Sequence, residues 1–242
     1  MTLQDQRVVV MGGTSGIGLA TAKAACTFGA EVIITGRDEQ KLQRAVAELG
    51  DGARGLPVDA AEREQLERVL TEIGQLDHLV LALGGAAGGG PIASLDLGEL
   101  RAGFEGKFWP HLAALQVALP NIRSAGSVTV VSAGSAGAPY AGAAGLAAIN
   151  GALSAMVPAL AVELRPIRVN AVAPGVIDTP WWHGLPEEAR NAVFSRYGAA
   201  APVGRIGEPE DVAQAIISIL SNRFITGTVL TVDGGLRFTA AA

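Results

Sequence analysis

Near its start the chain carries Gly12-Gly13-Thr14-Ser15-Gly16-Ile17-Gly18, directly after the apolar run Val8-Val-Val-Met11. Glycines at 12, 16 and 18 allow a tight turn, close backbone approach to a pyrophosphate and close packing of a following helix on the strand. A helix that starts in this loop turns unpaired N–H groups and the positive end of its dipole toward phosphate oxygens. Thr14, Ser15 and Ile17 fill the loop between the glycines. The chemistry on offer is the holding of a dinucleotide. A second apolar run ends in Thr35-Gly36-Arg37. At this place an acid would hold a free ribose 2′-hydroxyl, and an arginine accommodates a 2′-phosphate. Arg37 therefore predicts NADP rather than NAD, while the adjacent Asp38 argues the other way.

Those residues need a scaffold, and the rest of the chain supplies the pattern for one. Short apolar runs at Arg7-Val-Val-Val-Met, Glu31-Val-Ile-Ile-Thr, Asp77-His-Leu-Val-Leu-Ala, Ser127-Val-Thr-Val-Val-Ser, Ile167-Arg-Val-Asn-Ala-Val and Thr228-Val-Leu-Thr-Val read as strands. Continuous runs of this kind suit a parallel sheet buried on both faces. Helical periodicity falls between them, over 18–28, 39–49, 62–73, 97–119 and 209–220. The alternation predicts an α/β fold, a doubly wound parallel sheet in a Rossmann-like three-layer sandwich. No linker or repeat divides residues 1–242, so a single dinucleotide-binding domain is expected.

Composition narrows the class. The chain of 242 residues is 49% hydrophobic and 17% charged, with 18 basic against 23 acidic residues. It has no excess of positive charge for nucleic acid to use, and it is too apolar for a disordered chain. Cys26, the lone cysteine, allows no internal disulfide and no cysteine-based zinc site, and no metal site is expected. No charged residue occurs from Ser124 to Val162, a stretch a hydropathy scan would mark as a membrane span. Its many glycines and prolines favour a strand, a small-residue loop and a helix from about Ala143, covered by the sheet on one side and by a subunit on the other. Pro158 is expected to kink that helix. The N-terminal residues lack the pattern of a signal peptide, and a cytoplasmic location is expected.

With these motifs in place, the chain resembles the short-chain dehydrogenase/reductase family over essentially its whole length. Gly12 to Gly18 match the family's glycine loop, with Met11 where a threonine is usual. Val58-Asp59 matches the aspartate that meets the adenine. Leu81-Ala-Leu-Gly84 stands where the family has Asn-Asn-Ala-Gly, placing Leu83 and Gly84 against the cofactor. Asn170-Ala-Val-Ala-Pro-Gly-Val-Ile-Asp-Thr matches the segment in which Pro174, Gly175, Ile177 and Thr179 would touch the nicotinamide half. Pro202-Val-Gly-Arg and Thr226-Gly-Thr-Val-Leu-Thr-Val-Asp-Gly-Gly resemble its C-terminal landmarks. The resemblance implies nicotinamide-dependent oxidation or reduction.

The same resemblance places a Tyr-x-x-x-Lys pair on the helix after the fifth strand, the tyrosine moving the proton and the lysine lowering its pKa. Here Leu146 and Asn150 fall on those positions, Ala133 or Gly134 falls on the family serine, and Lys107 replaces an asparagine of the preceding helix. The expectation is that Lys107 restores the missing charge from that helix, holding the nicotinamide ribose, polarising a substrate carbonyl or acting as the acid; the plainer alternative is a lysine reaching to solvent. Asn150 and Ser135 complete the candidate catalytic set. Ser132 and Tyr140 lie nearby as further hydroxyls, His111 is expected to be a satisfied core histidine, and His78 a surface one.

Residues 178–205 hold Trp181, Trp182, His183, Phe194 and Tyr197. They suggest a lid over an apolar or planar small-molecule substrate, or else a subunit contact. A homodimer or homotetramer is expected. Three functions fit: an NADP-dependent oxidoreductase acting on a small carbonyl or alcohol with an atypical acid, a catalytically silent NADP-binding sensor or scaffold, and a redox-neutral lyase or isomerase.

Overall fold

A computed structural model describes residues 2–85, 87–137 and 140–239. The strands are β1 (Arg7–Met11), β2 (Glu31–Gly36), β3 (Ala53–Pro57), β4 (Leu76–Leu81), β5 (Ile122–Val131), β6 (Arg168–Pro174) and β7 (Val229–Val232). They form one parallel sheet in the order β3-β2-β1-β4-β5-β6-β7. The order reverses between β1 and β4, so a crevice opens beyond the carboxyl ends of the strands at that switch point.

Side chains alternate across the sheet, and each face has its own helices. Val9 and Met11 of β1 join Leu66 and Leu70 of α3 (Arg63–Ile73), Ala114 and Leu115 of α5 (Trp109–Ala118), and Leu153 and Val157 of α6 (Ala144–Glu163). Val8 and Val10 join Ala22 of α1 (Gly16–Thr27), Leu42 of α2 (Glu39–Leu49) and Val212 and Ile216 of α8 (Pro209–Ser221). This is the expected three-layer sandwich, in one domain.

Several elements depart from the sequence pattern. Strand β3 leaves no signal in it, because the edge strand Ala-Arg-Gly-Leu-Pro lacks a β-branched run and has no fully buried residue. Helix α7 (Glu187–Ala200) leaves none either, because its only buried residue is Gly198 and no apolar stripe marks it. The single helix drawn over 97–119 is α4 (Leu97–Gly103), a π turn over Phe104–Phe108, and α5. Pro110 explains the interruption, since it has no N–H to offer the preceding turn and its ring crowds the carbonyl one turn back. His78 is buried in β4 rather than on the surface: its Nδ1 lies 2.8 Å from Ser127 Oγ and its Nε2 2.7 Å from Gln6 Oε1. Burial, aided by the positive charge of Arg168, lowers its pKa to about 4.

Helix α6 runs unbroken through Pro158. Among the described residues it is the one helix long and apolar enough to cross a membrane. In the fold its buried side, Gly145, Ile149, Asn150, Leu153 and Val157, packs against β6 and the π turn. The other side leaves Ala155, Pro158, Ala159 and Val162 exposed in a stripe at helical spacing. Cys26 is half-buried against the core on the α1 side.

Candidate active site

The crevice at the switch point is a cleft of about 770 Å³. Its floor at one end is the glycine loop. Gly12 has φ +83°, and a Cβ there would lie 2.5 Å from the carbonyl oxygen of Ala82 on the neighbouring strand end. A side chain on Gly18 would run into the carbonyl of Gly12, which is the close helix–strand approach expected of it. Gly12, Thr14, Ser15, Gly16, Ile17 and Gly18 all line the cleft. Ser15 is the N-cap of α1 but makes no side-chain capping bond, and no acid stands in the first turn. The helix N–H groups thus face the cleft uncapped and without a competing carboxylate, a fit for phosphate oxygens.

Arg37 lines the same end, exposed and without an ion pair among the described residues. Asp38 is otherwise engaged. It caps α2, its Oδ1 accepting the Lys41 N–H at 2.9 Å, and these backbone bonds hold its carboxyl below the usual range. Asp59 also lines the cleft, with Oδ1 accepting from the Ala61 N–H. Leu83 and Gly84 lie beyond β4, Pro174 ends β6, and Gly175 and Ile177 follow it. Thr179 stands over the glycine loop, 3.2 Å from where a Cβ on Gly16 would sit.

At the other end Lys107, Asn150 and Ser135 come together. The Lys107 ammonium donates to Asn150 Oδ1 at 2.7 Å and to the carbonyl oxygen of Ser132 at 3.1 Å. Asn150 is buried, and its Nδ2 donates to the Leu146 carbonyl at 2.8 Å and more weakly to Ser135 Oγ at 3.4 Å. Lys107 does not reach for solvent. The residue as a whole is half-buried, but its ammonium lies deep among protein atoms, and that desolvation lowers its pKa to about 8. It has no carboxylate partner among the described residues, so its charge is offset only by neutral oxygens. Two of its three protons are used on the protein, which leaves one for a group in the cleft.

The other hydroxyls divide. Ser132 Oγ donates to the Val172 carbonyl at 3.3 Å and is spent on the fold. Tyr140 lines the cleft edge-on to Tyr197, with ring centroids 5.9 Å apart, and burial raises its pKa. His111 is a buried core residue, as the sequence suggested. Its Nδ1 lies 2.7 Å from the Lys107 carbonyl oxygen, and its Nε2 lies 3.1 Å from that of Leu81.

The aromatic segment forms the rim. Trp181, Trp182 and Tyr197 line the cleft from the short helix Pro180–Gly184 and from α7. Trp182 packs edge-on against Trp181 and Phe194. Trp181 Nε1 donates to the Gly85 carbonyl at 3.1 Å, joining the rim to the loop after β4. That bond, Gly85 itself and the π turn were missed in the sequence. Pro110 inside an apparent helix was the available signal for the π turn.

Comparison with known proteins agrees with this architecture. A family model described as enoyl-(acyl carrier protein) reductase matches residues 12–237. A short-chain dehydrogenase/reductase, ATR9, of Stachybotrys chlorohalonatus is 33% identical over 97% of this chain and 98% of its own. The cis-4-hydroxycyclohexanecarboxylate dehydrogenase of Sinomonas cyclohexanicum is also 33% identical, over 96% of each chain. Among solved structures, a small-chain dehydrogenase in complex with NADPH is 30% identical with TM-score 0.84, covering 97% of this chain and 100% of that one. The chain belongs to the short-chain dehydrogenase/reductase family. It is an oxidoreductase of that type, on a fold that binds NAD(P).

Proposed function

We propose that the protein is an NADP-dependent oxidoreductase that interconverts a small carbonyl compound and its alcohol, with Lys107 as the acid and base. The observation that carries this reading is the Lys107–Asn150 contact at 2.7 Å. A lysine and an asparagine meet here from the two positions at which the resemblance implies an asparagine and a lysine, the residue types being exchanged between the helices.

The bound nicotinamide supplies or accepts the hydride. The chain does the rest. The N–H groups at the start of α1 hold the pyrophosphate, and Arg37 meets the 2′-phosphate, with Asp38 occupied in capping α2. Asp59 takes the adenine end, and Leu83, Gly84, Pro174, Gly175, Ile177 and Thr179 flank the nicotinamide half. In reduction, Nζ of Lys107 places a proton on the carbonyl oxygen as negative charge develops there, and in oxidation it takes the hydroxyl proton. Asn150 steers the ammonium, and the Ser135 hydroxyl donates a second hydrogen bond to the same oxygen. Leu146, Trp181, Trp182 and Tyr197 exclude water and favour an apolar or planar substrate. The exposed stripe of α6 supports a homo-oligomer.

The test pairs cofactor binding with turnover. Titration by nicotinamide fluorescence is expected to give micromolar NADPH binding and much weaker NADH binding. Lys107→Met is expected to slow carbonyl reduction by about 10²–10⁴-fold while the fold persists. Failure of both cofactors to bind, or an unchanged Lys107→Met enzyme, defeats the reading.

A further inference from the structure

The π turn raises a question of register, since a five-residue widening of a helix swings side chains around its axis. Something must hold it where Lys107 points at Asn150 rather than along the helix surface. Pro110 causes the interruption but fastens nothing, because it has no N–H to donate. His111 follows it, buried between the turn and the end of β4. Its Nδ1 stands 2.7 Å from the Lys107 carbonyl oxygen, and its Nε2 stands 3.1 Å from the carbonyl of Leu81. Beyond Leu81, Leu83 and Gly84 line the cleft. One imidazole therefore touches the backbone of the two segments that carry the reacting end of the site.

We propose that His111 is a positioning residue: by donating to the Lys107 carbonyl while its ring is wedged against the end of β4, it holds the π turn in the register that directs the Lys107 ammonium inward to Asn150 and Ser132. The catalytic consequence rests on the reading of Lys107 as the acid; the geometric claim does not. A neutral imidazole has one N–H, and the shorter contact takes it. Burial, together with the charge of Lys107, keeps the ring neutral by lowering its pKa to about 4. The other titratable groups along this part of the cleft are Glu105 on the π turn and Tyr140 and Tyr197 at the far wall, and none is hydrogen-bonded to the ammonium.

Side-chain geometry provides matched variants. An asparagine amide nitrogen mimics Nδ1, a glutamine amide nitrogen mimics Nε2, and leucine mimics neither. Lys23, Lys41 and Lys107 are the chain's only lysines. The full-length protein labelled with 13C at lysine Cε therefore gives a sparse spectrum, and Lys107→Met assigns the Lys107 signal. In the unsubstituted protein that signal is expected to titrate near pH 8. His111→Asn keeps the bond to the Lys107 carbonyl and is expected to leave the titration there. His111→Leu releases the turn, and the midpoint is expected to rise by about one pH unit or more as the ammonium reaches water. His111→Gln sets an amide nitrogen at the Leu81 carbonyl and fills the buried site with a polar group, which gives a second variant should leucine not fold, and it is expected to raise the midpoint likewise. A folded leucine or glutamine variant whose Lys107 still titrates near pH 8 overturns the proposal, as does an asparagine variant that shifts as far as they do. The NMR readout is independent of turnover, so loss of the Lys107 acid reading, seen as an active Lys107→Met enzyme, leaves this result to stand or fall by itself.

Discussion

Lys107 and Asn150 lie on different helices, 43 positions apart in sequence, and their side chains meet at 2.7 Å at the deep end of the cleft. The contact closes a chain from the Ser132 carbonyl through the ammonium and the amide to Ser135 Oγ. Asn150 cannot take the proton, so any acid–base work along this chain falls to Lys107.

The pH dependence follows directly. The Lys107 pKa is lowered to about 8 by desolvation, so the ammonium predominates below that pH and the free amine above it. Carbonyl reduction needs the ammonium and is expected to fall as pH rises through about 8, while alcohol oxidation rises over the same range. Profiles of kcat/KM in both directions check this, and parallel profiles would contradict it. Lys107→Met is expected to lose about 10²–10⁴-fold in rate, the usual worth of a positioned acid.

Cofactor choice is expected to reside in Arg37. Arg37→Ala removes a charged donor that faces the cleft, which should weaken NADPH binding by about 1.5–3 kcal/mol, roughly ten- to a hundred-fold. NADH binding should be little changed. Equal losses for the two cofactors, measured by fluorescence titration, would place Arg37 outside the 2′-phosphate site.

Acid should destabilise the protein through its buried histidines. His78 and His111 have folded pKa values of about 4, burial being the main cause, against an ordinary value of 6.5. The unfolded chain therefore binds these protons more readily. The stability they contribute is complete above pH 6.5 and is lost as pH falls toward 4, by roughly 3 kcal/mol for each. Urea unfolding across that range gives the slope, and His78→Leu should flatten it. An unaltered slope would rule out His78 as a source.

The α6 stripe of Ala155, Pro158, Ala159 and Val162 is expected to be covered by a second copy of the chain. Light scattering should show a dimer or tetramer, and Ala159→Arg should dissociate it by burying an unpaired charge. A monomeric unsubstituted protein at micromolar concentration would remove this expectation.

Much of this fold is legible in the sequence because a buried parallel sheet requires uninterrupted apolar runs, and β1, β2, β4, β5 and β6 have them. The edge strand β3 and helix α7 bury too little surface to leave a pattern. At the site, the glycine loop can be recognised because its spacing is imposed by backbone geometry. Lys107 stood out as a cation in an unusual place, but its direction depends on the π turn. The partner of its carbonyl, His111, looked like ordinary core. His78 was misplaced because a polar residue in a strand marks either the surface or a buried hydrogen-bond network, and only its neighbours Ser127 and Gln6 decide between them.

The bond from the Trp181 indole to the Gly85 carbonyl has one more use. Of the three tryptophans in the chain, two stand side by side on the rim of the cleft, and Trp181 is 45% exposed. Their emission depends on local polarity and on whether the indole N–H remains bonded. The protein thus carries a native optical reporter at the mouth of its cleft, able to register the arrival of a colourless ligand without a label.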